Sequence, residues 1–161
     1  MSNMIVITPN DELLTEEYKG YDSLRDAVKG YIEHLIVEPI VSNIFIFADN
    51  PDIRATECIY YCNEEGALCD TGYENKLNAM ATIMYGMPIF GAIVAVKLED
   101  VPYEEDGKVL YYEKDSAGFN EEETEYLKNK LEEFFKGKEK ALAKLHELWD
   151  DYKQTFEREE L

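Results

Sequence analysis

The segment from residue 57 to 70, ECIYYCNEEGALCD, constrains the fold of this chain more than any other, because it has the pattern of a β-hairpin. A half-apolar run over 58–62 meets the four-residue turn 63–66 and is followed by a short apolar run over 67–69. An Asn at the first turn position can bond its own backbone two residues on, and a Gly at the last position adopts positive φ without a clash. The segment therefore predicts two antiparallel strands joined by a type I turn.

Further strands are predicted from other short β-branched or apolar runs. The most apolar of these, Pro88 to Leu98, is too short to span a membrane and predicts the central strand of a sheet. Two acidic stretches, residues 10–20 and Glu99 to Lys108, predict loops. The remaining predicted strands are Met4–Thr8, Tyr31–Val37, Ile44–Phe47 and an edge strand over Val109–Tyr112.

Two helices are predicted in the first 86 residues from apolar residues that recur one turn apart. The first is short, begins at a cap formed by Asp22 or Ser23, and ends at Gly30. The second runs from Tyr73 to Tyr85 and ends at Gly86. The core-facing residues are Leu24, Ala27 and Val28 in the first helix and Leu77, Met80, Ala81 and Met84 in the second.

From Asn120 onward the pattern becomes helical. Asn120 followed by Glu123 is a capping box, which satisfies backbone N–H groups at a helix start. Gly137 interrupts the pattern, so one long helix and two helices broken near this glycine both remain open. The apolar seam consists of Leu131, Phe135, Leu142, Leu145, Trp149, Tyr152 and Phe156.

The sequence as a whole predicts an α+β fold with a mostly antiparallel sheet, packed helices and a long C-terminal amphipathic helix. Residues 1–119 are expected to form the core domain, and 120–161 a helical extension. This extension packs either on the core or in a homodimer, and the residues expected to make that contact are Leu142, Leu145, Trp149 and Tyr152.

Charge narrows the range of partners. The 161 residues include 35 acidic and 16 basic ones, which gives a formal net charge of −19. Such a charge repels nucleic acid and anionic membrane surfaces, so we expect neither as a direct partner. Two interpretations of the negative charge remain open: it serves solubility alone, or it attracts a partner protein that is itself basic. Without a span or a signal peptide pattern, the expected location is the cytoplasm.

No specific catalytic or cofactor motif occurs in the sequence. The glycines match neither phosphate-binding pattern, and no nucleophile motif surrounds a serine or cysteine near His34 or His146. Cys58, Cys62 and Cys69 could form a zinc site with His34, but structural zinc usually uses two closely spaced cysteine pairs. Buried free thiols are therefore expected, with no metal, no cofactor and no enzymatic activity.

Four short segments form a recognisable pattern, namely Lys29-Gly30-Tyr31-Ile32-Glu33, Cys62-Asn63-Glu64-Glu65-Gly66, Asn75-Lys76 and Ile89-Phe90-Gly91. This pattern resembles an uncharacterised domain family of bacteriophages, plasmids and other mobile elements. The family has no established catalytic residues, so the resemblance implies a mobile-element origin and little about chemistry. It covers most of residues 4–135, and the acidic stretch 99–108 and the helix beyond residue 136 depart from it.

The densest acidic region provides the candidate binding residues. Eleven acidic residues lie between Glu99 and Glu125, against Lys108 and Lys114. A basic nucleic-acid-binding groove would meet there a charge density of the kind that phosphates provide. The alternative is that this region is merely solvated and caps a helix. The predicted partner-binding residues are Glu99, Asp100, Glu104, Glu105, Asp106, Tyr111, Tyr112, Glu121, Glu122 and Glu123.

These features together predict an acidic, non-enzymatic accessory protein of a phage or other mobile element. It is expected to bind and inhibit a host protein, such as a nucleic-acid-handling defence enzyme, by mimicking nucleic acid. The alternative is a small-ligand binding protein, such as a sponge for a nucleotide signal, in which Asn75, Lys76 and tyrosines hold base and phosphate.

Overall fold

The computed structural model describes residues 2–65 and 76–159, with side chains as far as residue 154, and shows an α+β fold. Within these residues an antiparallel six-stranded sheet is packed with helices. The strands are β1 (Asn3–Ile7), β2 (Leu13–Glu17), β3 (Ile32–Leu35), β4 (Glu57–Asn63), β5 (Ile93–Glu105) and β6 (Lys108–Ala117). The helices are α1 (Tyr21–Val28), α2 (Pro39–Ser42), α3 (Pro51–Arg54), α4 (Ala79–Tyr85), α5 (Glu121–Phe135) and α6 (Glu139–Glu159).

The sheet has the order β2-β1-β5-β4-β3, and β6 pairs with the outer part of β5. Successive side chains of a strand point to opposite faces, so the sheet buries two separate clusters. One face is covered by α1 through Leu24 and Val28. The other face is covered by α2 to α6 and holds the larger cluster, which includes Phe45 and Phe119.

The predicted central strand is confirmed, although it begins later than Pro88. β5 starts at Ile93, and its residues 93–96 are completely buried between β1 and β4. The expected loop from Glu99 to Lys108 is wrong, because β5 continues through it to Glu105. The predicted edge strand over Val109–Tyr112 is the middle of β6, which is longer at both ends.

The C-terminal part forms two helices. The capping box is confirmed, since the Asn120 side chain accepts from the Glu123 backbone N–H and the Glu123 carboxylate accepts from the Asn120 N–H. Gly137 has φ of 86° and separates α5 from α6, which decides between the two open alternatives.

Helix α6 packs back on the core of its own chain. Leu142 is buried, Leu145 packs against the larger cluster, and the Trp149 ring lies 4.8 Å from the Phe90 ring, centroid to centroid. Tyr152 stacks on Trp149 and remains 61% exposed. Most of the apolar seam that was expected either on the core or in a homodimer is therefore in contact with the core of its own chain. Phe156 lies outside the described side chains.

Two further predictions in the N-terminal half are wrong. Residues 44–47 form turns and not a strand, because the backbone N–H groups of Ile46 and Ala48 bond carbonyls three residues back. The loop expected over 10–20 contains β2, an edge strand that pairs with β1 along its whole length. Its sequence, LLTEE, lacks the alternating pattern that signals a strand.

The helix ends also differ in detail. α1 takes Gly20 as its N-cap, and the Ser23 hydroxyl donates to the Gly20 carbonyl, so neither Asp22 nor Ser23 caps it. Lys29, with φ of 63°, ends this helix in place of Gly30. Gly30 is needed for another reason, since a Cβ there would lie 2.6 Å from Asn63 Nδ2.

Helix α4 ends at Gly86 as predicted but begins at Ala79, because the Asn78 side chain accepts from the Ala81 N–H and caps it. Leu77, expected on its core-facing stripe, instead forms a β-bridge with Phe90.

The hairpin predicted over 57–70 is described only as far as residue 65. Its first strand is β4, which lies between β3 and β5 in the sheet. Asn63 behaves as the turn pattern requires, since its side chain accepts from the Glu65 N–H two residues on. Gly66 and the run 67–69 lie outside the described residues.

Candidate functional site

A two-stranded arm extends from the body of the sheet. It consists of residues 99–115, that is, the outer part of β5, a turn, and most of β6, and every one of these residues is exposed. Beyond Leu98 no described strand other than β6 pairs with β5. With about 3.4 Å of rise per residue, the seven residues from Glu99 to Glu105 give the arm a length of about 24 Å.

The arm exists because of a turn signal that the sequence reasoning missed. Asp106 and Gly107 have φ of 53° and 76°, the left-handed pair that a two-residue type I′ turn requires. Asp-Gly between two runs of strand-forming residues is among the strongest short-range hairpin signals. The surrounding acidic residues led instead to the prediction of a loop. A register shift next to this turn, between Tyr103 and Glu104, marks a β-bulge.

The two faces of the arm differ in character. Residues directly opposite each other in an antiparallel pair share a face. We call one side the tyrosine face because Tyr103 and Tyr111 are paired there, with their ring centroids 4.8 Å apart and their planes 11° from parallel. From the register, the tyrosine face consists of Glu99, Val101, Tyr103 and Glu105 on β5 and of Lys108, Tyr111, Glu113 and Asp115 on β6.

The opposite face carries Pro102 and Tyr112. At the end of this face nearest the body of the sheet, a lysine compensates the negative charge. Lys114 Nζ lies 2.9 Å from Asp100 Oδ1 and 2.9 Å from Glu57 Oε2. Hydrogen bonds to these two carboxylates raise the pKa of Lys114. This lysine therefore ties the arm to the first residue of β4 and leaves most of the uncompensated charge on the tyrosine face.

Lys97 joins the arm to the start of α5. Its Nζ lies 3.1 Å from Glu99 Oε1 and 3.1 Å from Glu123 Oε1, so one lysine bridges the two predicted acidic groups. Glu123 is only 4% exposed and also accepts from the Thr56 hydroxyl. Burial alone would raise the pKa of Glu123, but the bonds from the Asn120 N–H, Thr56 and Lys97 outweigh it and hold the pKa below its ordinary value.

The structure thus separates the predicted partner-binding residues. Glu123 is a buried structural carboxylate and does not belong to the exposed candidate surface. Glu121 and Glu122 are exposed in the first turn of α5, and Glu122 Oε1 accepts from Asn50 Nδ2. The arm itself holds Glu99, Asp100, Glu104, Glu105, Asp106, Tyr111 and Tyr112. The exposed apolar residues of the arm that the sequence reasoning missed are Val101, Tyr103, Val109 and Leu110.

The composition of the arm is poorly suited to a purely structural hairpin. Glu99 and Asp115 are directly opposite each other, and like charges in that position destabilise a sheet, an effect that Lys97 offsets in part through its contact with Glu99. Its large apolar side chains are 42% exposed or more, so they contribute little burial energy to the folded chain. An exposed apolar patch with a charged rim is typical of a protein-binding surface.

A second candidate is an open cleft of about 1130 Å³ between α5, α6 and the β1–β2 turn. His146 Nε2 lies 3.0 and 3.1 Å from the two carboxylate oxygens of Asp11 at its edge. Apolar residues such as Met80 and Leu142 line the cleft together with charges of both signs. Lys76, from the alternative nucleotide site, contacts Asn10 outside this cleft, and Asn75 lies outside the described residues. The cleft therefore does not assemble the predicted ligand-binding set.

The cysteines described do not meet His34. Cys62 pairs with Glu33 across the strands, whereas His34 pairs with Tyr61 on the other face of the sheet. Burial raises the pKa of the Cys58 thiol to about 12 and that of Cys62 to about 11, so both are protonated at neutral pH. Among the described residues no group of three or more His, Cys, Asp or Glu side chains is placed to hold a metal ion. Cys69 lies outside them.

No protein-family model, curated protein or solved structure matches the chain. The resemblance to a mobile-element domain family therefore stays a prediction. In the part of the chain that the structure describes, none of the helices combines the length and apolar character that a membrane crossing requires.

Proposed function

We propose that this chain is an acidic, non-enzymatic accessory protein of a phage or other mobile element that binds and inhibits a host protein. The target presents a basic nucleic-acid-binding surface, as a defence enzyme that handles nucleic acid would, and the encounter takes place in the host cytoplasm. The observation that carries the proposal is the arm, an exposed ribbon with apolar and aromatic side chains and a strong excess of carboxylates.

Charge density supports a nucleic-acid-like role for the arm. It holds seven acidic residues and two lysines. A net five negative charges along a length of about 24 Å is one charge per about 5 Å, compared with about 3.4 Å for one strand of DNA. The linear charge density of the arm is therefore within a factor of two of that of a single nucleic-acid strand, as a protein complementary to a phosphate-binding groove requires.

The shape of the arm supports the same role. Paired strands lie about 4.8 Å apart, and a two-stranded ribbon is thin enough to enter the major groove of DNA, which is about 12 Å wide. A ribbon of this size can enter a protein groove that accommodates a nucleic-acid strand. The origin in a mobile element is supported only by the sequence resemblance.

The test is capture from a nuclease-treated bacterial lysate with three forms of the protein. The first is the wild type, and the second carries Glu104→Gln, Glu105→Gln and Glu113→Gln on the arm. The third is a control with the same change in charge away from the arm, Glu16→Gln, Glu17→Gln and Glu132→Gln, at positions that are all exposed. We expect the wild type and the control to capture the same protein and the arm variant to lose most of it.

The captured protein should also be displaced by duplex DNA or by RNA, and its binding should weaken as the salt concentration rises. Capture that is equal for all three forms, or that saturating nucleic acid leaves untouched, would contradict the proposed mimicry.

A further inference from the structure

We propose that the tyrosine face of the arm is the docking surface, and that the partner meets it with arginine side chains and not with lysine. The inference rests on the proposed function and refines it, because it names which face of the arm binds and which cation it selects.

The first observation is the asymmetry between the two faces. The tyrosine face holds the stacked Tyr103 and Tyr111, which are 43% and 49% exposed, beside Val101. Around these apolar side chains lie Glu105, Glu113 and Asp115 with one lysine, Lys108, whereas Glu99 at the base of the face is paired with Lys97. The opposite face has its own lysine bound to two carboxylates. Aromatic surface and uncompensated carboxylates therefore coincide on one face.

The second observation concerns distances within this face. Side chains two residues apart on a strand lie about 6.8 Å from each other, so Glu105 and Val101 flank Tyr103, and Glu113 flanks Tyr111. Each ring of the stacked pair keeps one side free of the other ring. A cation placed on that side of Tyr103 or Tyr111 therefore lies within reach of a carboxylate two residues along the strand.

Arginine fits this arrangement better than lysine does. A guanidinium is planar, stacks on aromatic rings, and donates two parallel hydrogen bonds to a carboxylate, whereas an ammonium acts as a compact, strongly hydrated point charge. Among the described residues both cations lie over rings, since the Arg25 guanidinium is 4.4 Å from the centroid of the Tyr31 ring and Lys138 Nζ is 4.4 Å from that of Phe134. The preference for arginine therefore rests on the carboxylates beside Tyr103 and Tyr111, which a guanidinium can bind while it stacks.

Other occupants fit the face poorly. A second copy of the chain would bring together two molecules of formal charge −19, and nucleic acid would be repelled for the same reason. Charge complementarity thus selects a basic protein surface, and the aromatic pair selects arginine within it.

The experiment compares an arginine octapeptide with a lysine octapeptide of the same charge as probes of the full chain. Affinities are measured by titration at fixed ionic strength, and the binding site is mapped by NMR shifts of backbone amides. The variant carries Tyr103→Leu and Tyr111→Leu, and the matched control carries Tyr112→Leu on the opposite face. Unchanged amide shifts in the β1, β4 and β5 core show that each variant is folded.

We expect the wild type to bind the arginine peptide about five- to thirtyfold more tightly than the lysine peptide, as two weak exposed cation–π contacts would give. The largest shifts should fall on Val101, Tyr103, Tyr111 and Glu113. In the double tyrosine variant the preference should fall to about twofold or less, while the Tyr112→Leu control keeps it.

An equal preference in the wild type and the double tyrosine variant would overturn the inference, and so would shifts confined to α5 or to the opposite face of the arm. Neither result would touch the proposed function, which depends on whether capture from the lysate requires the charge of the arm.

Discussion

The two halves of β5 show how one strand can serve two purposes. Its first four residues, Ile93 to Val96, are completely buried and lie between β1 and β4. Its last seven residues are exposed and are paired only with β6 among the described strands. Both halves contain β-branched or aromatic side chains, but only the first half removes them from water. The apolar residues of the inner half therefore stabilise the fold, and those of the arm are available for binding.

The boundary between the halves is formed by charged side chains. Lys97, on β5, contacts Glu99 and the buried Glu123, and Lys114, on β6, contacts Asp100 and Glu57. These contacts hold the root of the arm to the body without burying the arm itself. Five measurements test this contrast, and the effects expected on stability decrease from the first to the last.

The sharpest contrast comes from one substitution made in both halves. Val96→Ala should lower the free energy of unfolding by about 2 to 3 kcal/mol, because two buried methyl groups are lost and a cavity remains. Val101→Ala, at a position 42% exposed in the same strand, should change it by less than about 0.5 kcal/mol. Denaturant unfolding measures both values, and equal effects would show that the arm belongs to the core.

A substitution where the arm joins the body of the sheet should lower the free energy of unfolding almost as much as Val96→Ala. Glu123→Ala should lower the free energy of unfolding by about 2 kcal/mol, because Lys97, the Thr56 hydroxyl and the Asn120 N–H lose a shared acceptor. Glu125→Ala, at an exposed position in the same helix, should have a much smaller effect.

The same carboxylate should give a pH dependence. The pKa of Glu123 is lowered in the folded protein, so its charged form stabilises the fold. This contribution to the free energy of unfolding is complete above the ordinary pKa of 4.5 and is lost as the pH falls through the folded pKa. The difference in unfolding free energy between wild type and Glu123→Gln should therefore shrink as the pH is lowered from 7 towards 3. A difference that grows in this range would contradict the assigned bonds.

Changing the turn should loosen the arm and leave the body intact. Gly107→Val places a β-branched residue at φ of 76° and should destabilise the type I′ turn by about 1 kcal/mol or more. Hydrogen exchange of amides in the arm should accelerate, while that of residues 93–96 stays within experimental error. Lys108→Val, at the next position, serves as the control and should leave both regions unchanged.

The sequence predicted those elements whose signals are local. The Asn120–Glu123 capping box, the end of α4 at Gly86 and the central apolar strand are each decided by a few neighbouring residues, and all are present. The α+β class with a long C-terminal helix follows from the same signals.

The missed elements depend on partners distant in the chain or on competing local signals. β2 is an edge strand that forms by pairing with β1. Its side chains are mostly exposed, so its acidic sequence lacks the alternation of apolar and polar residues that would have predicted a strand. The candidate site was predicted in part, because charge identified the residues around Glu104 but not their geometry. The Asp-Gly pair at 106–107 contained the missing information and would have placed Tyr103 opposite Tyr111. The burial of Glu123, in helix α5, could not be anticipated, since its partner Lys97 lies in strand β5.

The most direct test of the central claim, that the arm serves binding and not stability, is to shorten it. Replacing residues 102–112 with Asn-Gly keeps the Val101–Glu113 pair, the salt bridges of Lys114 and a two-residue turn. Unfolding and lysate capture are then measured side by side on this variant and on the wild type. We expect a free energy of unfolding within about 1 kcal/mol of the wild-type value, together with loss of the captured protein. A shortened protein that still captures the same partner, or one that has lost several kcal/mol of stability, would contradict it.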